Sequence, residues 1–311
     1  MAIPVISLAQ SPDDVAAAIR AAGEAHGFFY AVDHGVPEAL VAGQYDWAAK
    51  LFALPHEEKL SISMFNSPTR RGYESIGDQT LDLAAKPDQK ESFYCGVPYA
   101  PEHPYVKAGI AFYGENQWPA ALPDMAAHTA RYIDAMQKLA ERLMRDLARS
   151  LGLAPDWFDR TMADPMVTLR LLRYPPHPAQ APADLFGAGA HTDWGSITIL
   201  AQDDLGGLQV QAADGSWIDA TPIKGSFVVN FGDMIPRWTN GRYRSNPHRV
   251  VNANTSGRDR YSIPFFYSPN YDARIEPVPG SVAPGQAPAY DSCTAGEHMA
   301  EMYRKTYAKA A

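Results

Sequence analysis

Up to about residue 152, apolar side chains recur at three- and four-residue spacing; beyond Met166 they fall into short blocks broken by turn residues. Ser11-Pro12-Asp13-Asp14 has the character of an N-cap, a first-turn proline and first-turn acids, so a helix should run from there to Gly27. A strand from Gly27 to Val32 follows. Pro37 then opens a second helix with Leu40, Tyr45, Trp47, Leu51 and Phe52 as its stripe, ending before Pro55. Residues 96–125, rich in Pro, Gly and aromatics, predict an irregular excursion. Ile133, Met136, Leu139, Leu143 and Leu147 predict a third helix, stopped by Gly152. Two hairpins are signalled downstream. Asp214-Gly215 joins Leu208-Gln209-Val210-Gln211 to Trp217-Ile218, and Asn240-Gly241 joins Pro236-Arg237-Trp238 to Tyr243-Arg244. Short strands with such turns predict a jelly roll, giving a mainly β fold with flanking helices. A Pro/Gly-rich stretch, 277–289, leads to a last helix with a Thr294-Ala295-Gly296-Glu297 capping box.

This pattern divides the chain into an N-terminal region of helices and strands (1–125), a helix and catalytic β core (126–276), and a C-terminal loop and helix (277–311), packed as one unit. The 311 residues, 46% of them hydrophobic, are enough to bury a sizeable core. Net charge is −8, from 27 basic and 35 acidic residues, and no basic run is long enough to track a phosphate backbone, so nucleic acid is not an expected partner. The N-terminus lacks the features of a signal peptide, and no apolar segment reaches membrane-spanning length. The expectation is a cytoplasmic protein with no membrane association and no obligate protein partner. Cys95 and Cys293, the only cysteines, are far apart and are expected to be free thiols.

The chemistry lies in the second half. His191 and Asp193 flank Thr192, and on a strand residues two apart share a face, so both could reach one ion. His248 would complete two imidazoles and a carboxylate, a set that suits a non-haem Fe(II) oxygenase. Arg260 and Ser262, again two apart, place a guanidinium and a hydroxyl where a carboxylate could be clamped. An arginine flanked by Tyr261, Ile263, Phe265 and Phe266 needs a buried anion. His26, His34, His56, His103, His128, His177 and His298 lack such company and are expected to be caps, surface groups or satisfied core histidines.

With these residues in place, the chain resembles the Fe(II)/2-oxoglutarate-dependent dioxygenases of the isopenicillin N synthase-like type. The likeness extends through Gly27-Phe28-Phe29-Tyr30-Ala31-Val32-Asp33-His34-Gly35-Val36, Phe52-Ala53-Leu54-Pro55, Arg71-Gly72-Tyr73, Lys90-Glu91-Ser92-Phe93 and Gln117-Trp118-Pro119. It continues in Leu169-Arg170-Leu171-Leu172-Arg173-Tyr174-Pro175-Pro176, Asn230-Phe231-Gly232-Asp233 and Thr239-Asn240-Gly241. Asp33 stands where the family usually has Asn, and Leu172 where plant members often carry Asn.

The resemblance implies a double-stranded β-helix core. It also implies Fe(II) held by His191, Asp193 and His248, and 2-oxoglutarate bound to the metal and to Arg260 and Ser262, with Tyr174 assisting. Dioxygen would cleave the keto acid to succinate and CO2 while a small organic substrate is hydroxylated, desaturated or cyclised, with ascorbate as a stimulant. Arg170 is open between a polar wall of the cosubstrate site and a structural ion pair. Family position puts Trp194 and Phe266 at the cavity mouth. Tyr73, Phe93 and Tyr94 could line the substrate pocket or serve equally as core aromatics, as could Trp238. Asp193 argues against a halogenase, in which a small residue vacates the carboxylate position. Two related activities share these motifs, a 2-oxoglutarate-independent oxidase and an ethylene-forming oxygenase; a cupin-like binding module is the non-enzymatic alternative.

Overall fold

A computed structural model describes residues 2–82, 86–176, 185–251 and 256–307. The chain opens with β1 (Val5–Ser7), α1 (Pro12–Ala25), β2 (Phe28–Val32), α2 (Glu38–Phe52), α3 (His56–Ser61), β3 (Gly72–Glu74), β4 (Glu91–Cys95), α4 (Pro104–Lys107) and α5 (Met125–Ser150). Then come β5 (Met166–Tyr174), β6 (Ala188–His191), β7 (Ile197–Gln202), β8 (Leu208–Gln211), β9 (Trp217–Asp219), β10 (Phe227–Phe231), α6 (Met234–Trp238), β11 (His248–Val250) and β12 (Arg260–Ser268). The chain closes with β13 (Arg274–Ile275), β14 (Cys293–Thr294) and α7 (Ala295–Tyr307).

Local capping rules account for the starts of α1 and α7. Ser11 caps α1 by accepting from the Asp14 amide. At α7 the capping box closes both ways: Thr294 N–H donates to Glu297 Oε2 at 2.7 Å, and Glu297 N–H to Thr294 Oγ1 at 3.1 Å. The α5 stripe is buried as its spacing predicts, from Ile133 and Met136 to Leu143 and Leu147. The excursion over 96–125 contains only the short α4 and an isolated bridge between Pro98 and Gly114.

Two sheets form the jelly roll. The larger has the order β1-β2-β10-β7-β12-β5-β4-β3, and the smaller β6-β11-β8-β9. Strands from residues 1–125 therefore occupy both edges of the larger sheet. Along β12, Tyr261, Ile263, Phe265 and Tyr267 face the core that packs against the helices, while Arg260, Ser262, Pro264 and Phe266 face the gap between the sheets. β5 alternates likewise, with Leu169 and Leu171 outward and Arg170, Leu172 and Tyr174 inward. A smaller apolar cluster, including Phe28, Tyr30, Leu208, Val210 and Val250, fills the rest of that gap.

The Asp214-Gly215 hairpin is present, with Gln211 opposite Trp217. Asn240-Gly241 is not a hairpin. Pro236 to Trp238 belong to α6, and the Gly241 amide donates back to Pro236 O at 2.8 Å, with φ of 50° and 83° at Asn240 and Gly241. A dipeptide that tolerates positive φ serves a helix C-terminal turn as well as a hairpin, and burial of Trp238 against Phe158 favours the helix.

Glu91 ties the sheet edge together. It accepts from Lys59 Nζ at 2.7 Å, Tyr73 Oη at 2.6 Å and Arg173 Nη1 at 2.5 Å. Burial alone would raise its pKa, but these three donors outweigh it and hold the carboxylate below its ordinary 4.5. A depressed folded-state pKa contributes stability above the unfolded value, and that contribution is lost as pH falls. Glu91→Gln should therefore be destabilised at neutral pH, and its deficit relative to wild type should shrink as pH drops from about 6 to below about 4. Urea melts across that range test this; a deficit independent of pH would contradict it.

Candidate active site

The gap between the sheets holds the predicted constellation. One ligand atom from each of His191, Asp193 and His248 lies within 4.8 Å of the others. His191 ends β6 and His248 begins β11, directly opposite it in the register. Asp193 lies past the end of β6, so the shared strand face expected from its spacing is not what brings it to His191. A turn through Thr192 to Gly195 does so, pinned by the Asp233 amide donating to Asp193 O at 2.8 Å.

The donor set fits one divalent ion. The His191 Nδ1 position pairs with Gly189 O at 2.7 Å, which makes Nδ1 the protonated nitrogen and leaves Nε2 with its lone pair. Burial first, and the neighbouring His248 second, hold the His191 imidazole well below its ordinary pKa, so it is neutral. Asp193 Oδ2 accepts from Thr198 Oγ1 at 2.5 Å and Asn230 Nδ2 at 2.7 Å, while Oδ1 faces His248 Nε2 at 3.8 Å. Burial opposes the charge on Asp193, but the neighbouring His248 and these donors outweigh it, and the carboxylate stays ionised. Nε2 of each imidazole and Oδ1 of the carboxylate thus remain for a metal.

A second layer anchors this set. Asp88, buried and ion-paired with buried Lys90, accepts from the Gly189 amide at 3.0 Å; the carbonyl of the same glycine holds His191. Burial draws the Lys90 pKa down to about 8. Asp233 accepts from Thr192 Oγ1 and Ser245 Oγ, bracing the turn that carries Asp193. Asn230 and Lys90 lie in segments that carried the sequence likeness, but nothing in their spacing indicated these contacts.

Beside the three ligands is a cavity of about 60 Å³ lined by Arg260, Ser262, Tyr174, Arg170, Lys90 and Leu172, among others. Arg260 is 1% exposed. Its Nε donates to Gly206 O and its guanidinium carbon sits 4.7 Å from the centre of the Tyr174 ring, yet Nη1 and Nη2 are buried without a partner. Leu172 lies opposite Ser262, so the wall at the position where plant members often carry Asn is apolar here. Arg170 stands where this cavity meets a second one, with Nη2 donating to Glu74 at 2.7 Å and to Gln79 and Ser92 at 2.8 Å.

The second cavity, about 170 Å³, shares His191, Asp193, Arg170 and Phe266 with the first and adds Trp194 and Tyr94. Tyr73 and Phe93 do not reach it. They are cross-strand partners on the opposite face, one residue out of phase with Tyr94, where Tyr73 bonds Glu91 and Phe93 packs on Trp118. The cavity also takes Arg71, from a segment that carried the sequence likeness but was given no role there, and Arg70, Met64, Met299 and Tyr303, which no sequence pattern marked. Of the other histidines, His103 caps α4 and His128 pairs with Leu40 O; His177 lies outside the described residues.

Residues 164–269 match the 2OG-Fe(II) oxygenase superfamily, and residues 3–121 match the N-terminal family of the non-haem dioxygenase in morphine synthesis. A 2-oxoglutarate-Fe(II) type oxidoreductase, hxnY, of Emericella nidulans is 39% identical over 94% of this chain and 84% of its own length. The chain belongs to the 2OG-Fe(II) oxygenase superfamily. Another superfamily relative, a homoarginine-6-hydroxylase of Oryza sativa, is 38% identical over 88% of this chain and 84% of its own. The crystal structure of a full-length Neurospora crassa protein in complex with alpha-KG and thymine superposes with a TM-score of 0.86, at 31% identity, covering 97% of this chain and 96% of that one. This chain is accordingly a non-haem Fe(II)- and 2-oxoglutarate-dependent dioxygenase that oxidises a small organic molecule with release of succinate and CO2.

Because Thr198 and Asn230 aim the Asp193 carboxylate, Thr198→Val or Asn230→Ala should weaken Fe(II) binding by about 10–100-fold while leaving the ligands in place. Competition against a chelator of known affinity measures this; wild-type affinity in both variants would show that the two donors do not orient the carboxylate.

Proposed function

We propose that His191, Asp193 and His248 hold the Fe(II), and that Arg260, with Ser262 and Tyr174, clamps the distal carboxylate of 2-oxoglutarate. The observation that carries this reading is the pair of unpartnered Arg260 nitrogens, buried in a cavity that the three ligands also line. A desolvated guanidinium with an open fork is strongly unfavourable unless an anion completes it, and a dicarboxylate bound to the metal at one end presents its other carboxylate there. When bound, the metal supplies the centre at which decarboxylation of the 2-oxo acid by dioxygen is coupled to oxidation of a C–H bond.

The protein contributes position and exclusion of water. Arg260 fixes the cosubstrate's long axis, and Tyr174 stacks over the guanidinium to keep it in plane. The Arg170–Glu74 pair stands at the junction between the cosubstrate cavity and the larger one, where the primary substrate would lie against Trp194, Phe266 and Tyr94. Those walls hold the carbon to be oxidised beside His191 and Asp193, and hydroxylation, desaturation or cyclisation depends on which C–H they present.

Arg260→Ala should raise the dissociation constant for 2-oxoglutarate at least roughly tenfold, since a charge-assisted fork contributes about 1.5–3 kcal/mol. Lys at that position should recover only part of the loss. Calorimetry on Fe(II)-loaded protein without oxygen reads the affinity directly, and unchanged binding in both variants would give Arg260 a structural role instead. Separately, Trp194→Ala should leave Fe(II) and 2-oxoglutarate binding intact but raise the ratio of succinate to oxidised product. Parallel loss of cosubstrate affinity and coupling, or loss of neither, would remove Trp194 from the substrate wall.

A further inference from the structure

We infer that the primary substrate is a carboxylic acid with a flat or apolar body, its carboxylate docked at Arg70 and the carbon to be oxidised at the opposite, inner end of the larger cavity. This rests on the reading above that the cavity beside His191 and Asp193 receives the substrate.

The argument is one of charge. The chain as a whole carries −8, yet among the described residues the lining of this cavity has three arginines, Arg70, Arg71 and Arg170, and a single carboxylate, Asp193. Asp193 is committed to the imidazoles, Thr198 and Asn230, and Arg170 is matched by Glu74 at 2.7 Å. Arg71 is 5% exposed, and its guanidinium donates to neutral acceptors alone: Gly114 O at 2.6 Å, Phe112 O at 3.0 Å and Asn116 Oδ1 at 3.1 Å. Burial holds its pKa below the ordinary value, and the only carboxylate that acts on it, the exposed Glu115, is not at salt-bridge distance. Arg70 is exposed at the cavity mouth, with its guanidinium carbon 5.8 Å from the centre of the Tyr303 ring. Its backbone φ of 55° lies in the left-handed region that a non-glycine residue seldom occupies.

Two positive charges therefore have no carboxylate partner in one concave site, Arg71 buried within it and Arg70 at its solvent-facing mouth. Such a site concentrates anions, and a guanidinium fork matches a carboxylate. The cosubstrate is not that anion, because Arg260 provides for it in the neighbouring cavity. The remaining walls, Trp194, Phe266, Tyr94, Met64 and Met166, offer rings and thioethers suited to an apolar body. Arg70 and Tyr303 lie towards solvent and Asp193 is buried, so the acid end points outward and oxidation falls on the far end.

The test is anaerobic calorimetry on the Fe(II)-loaded protein with 2-oxoglutarate saturating, so that no probe reports on Arg260. The probes are matched pairs: 3-phenylpropanoate with 3-phenylpropanamide, and 2-naphthoate with 2-naphthamide. The acids should bind at least about tenfold more tightly than their amides, as expected for a charge-assisted contact. Added salt should narrow that ratio. Arg70→Gln, folded by the criterion of an unchanged melting temperature, should bring the ratio near unity, and Arg70→Lys should keep part of it. Equal binding of acid and amide, binding of neither acid, or an acid preference that survives in Arg70→Gln would overturn the inference. Failure of 2-oxoglutarate itself to bind the wild type would instead overturn the reading of the whole site.

Discussion

Arg260 brings a full positive charge to a place almost out of reach of water, and much of the site's architecture can be understood from that. Its Nε is met by Gly206 and its face by Tyr174, but the two terminal nitrogens point into the gap between the sheets with nothing to receive them. A buried charge of this kind is tolerated when the protein's working state supplies the counter-ion. In the proposed arrangement, Fe(II), Asp193, Arg260 and 2-oxoglutarate would form a set whose charges cancel: two positive from the metal, one negative from Asp193, one positive from Arg260 and two negative from the dicarboxylate. On that proposal the guanidinium and the three metal-binding side chains would be complementary parts of one electrostatic arrangement.

Strand alternation is what allows such a polar interior in a stable fold. β5 and β12 are adjacent in the larger sheet, with Arg260 opposite Tyr174 and Ser262 opposite Leu172. Because side chains alternate faces, each strand gives one set to the apolar core against α5 and α2 and the other to the gap. The same rule excludes Tyr73 and Phe93 from the pocket while placing Tyr94 in it. A shift of one residue in register would exchange the two sets and destroy core and site together.

The metal ligands are held by parts of the chain that carry no ligand themselves. Asp88 and Lys90 lie just before β4, Asn230 is in β10, and Thr198 in β7. These contacts convert the position of a short strand end, His191, and of a turn residue, Asp193, into a fixed arrangement. Burial of the ion pair costs desolvation, which is offset because Asp88 also satisfies a backbone amide that would otherwise be unpaired.

Much of this was legible in the chain itself. Periodicity located α2 and α5, cap chemistry located α1 and the start of α7, and the two-residue spacing of Arg260 and Ser262 put both on one face of one strand. The residue types of His191, Asp193 and His248 identified the chemistry of the metal site. Local signals failed where one signal served two geometries: Asn240-Gly241 closes a helix rather than a hairpin, and the spacing of His191 and Asp193 spans a turn rather than a strand. Aromatic identity alone did not separate Tyr94 from Tyr73 and Phe93, since only cross-strand register assigns a face. The orienting contacts of Asn230, Thr198 and Asp88, and the meeting of Arg70 and Tyr303 at one cavity, join residues that for the most part lie tens to hundreds of positions apart. No period or motif encodes those pairings; they exist because two sheets close over one another, and the closed structure alone decides which distant side chains share the space between them.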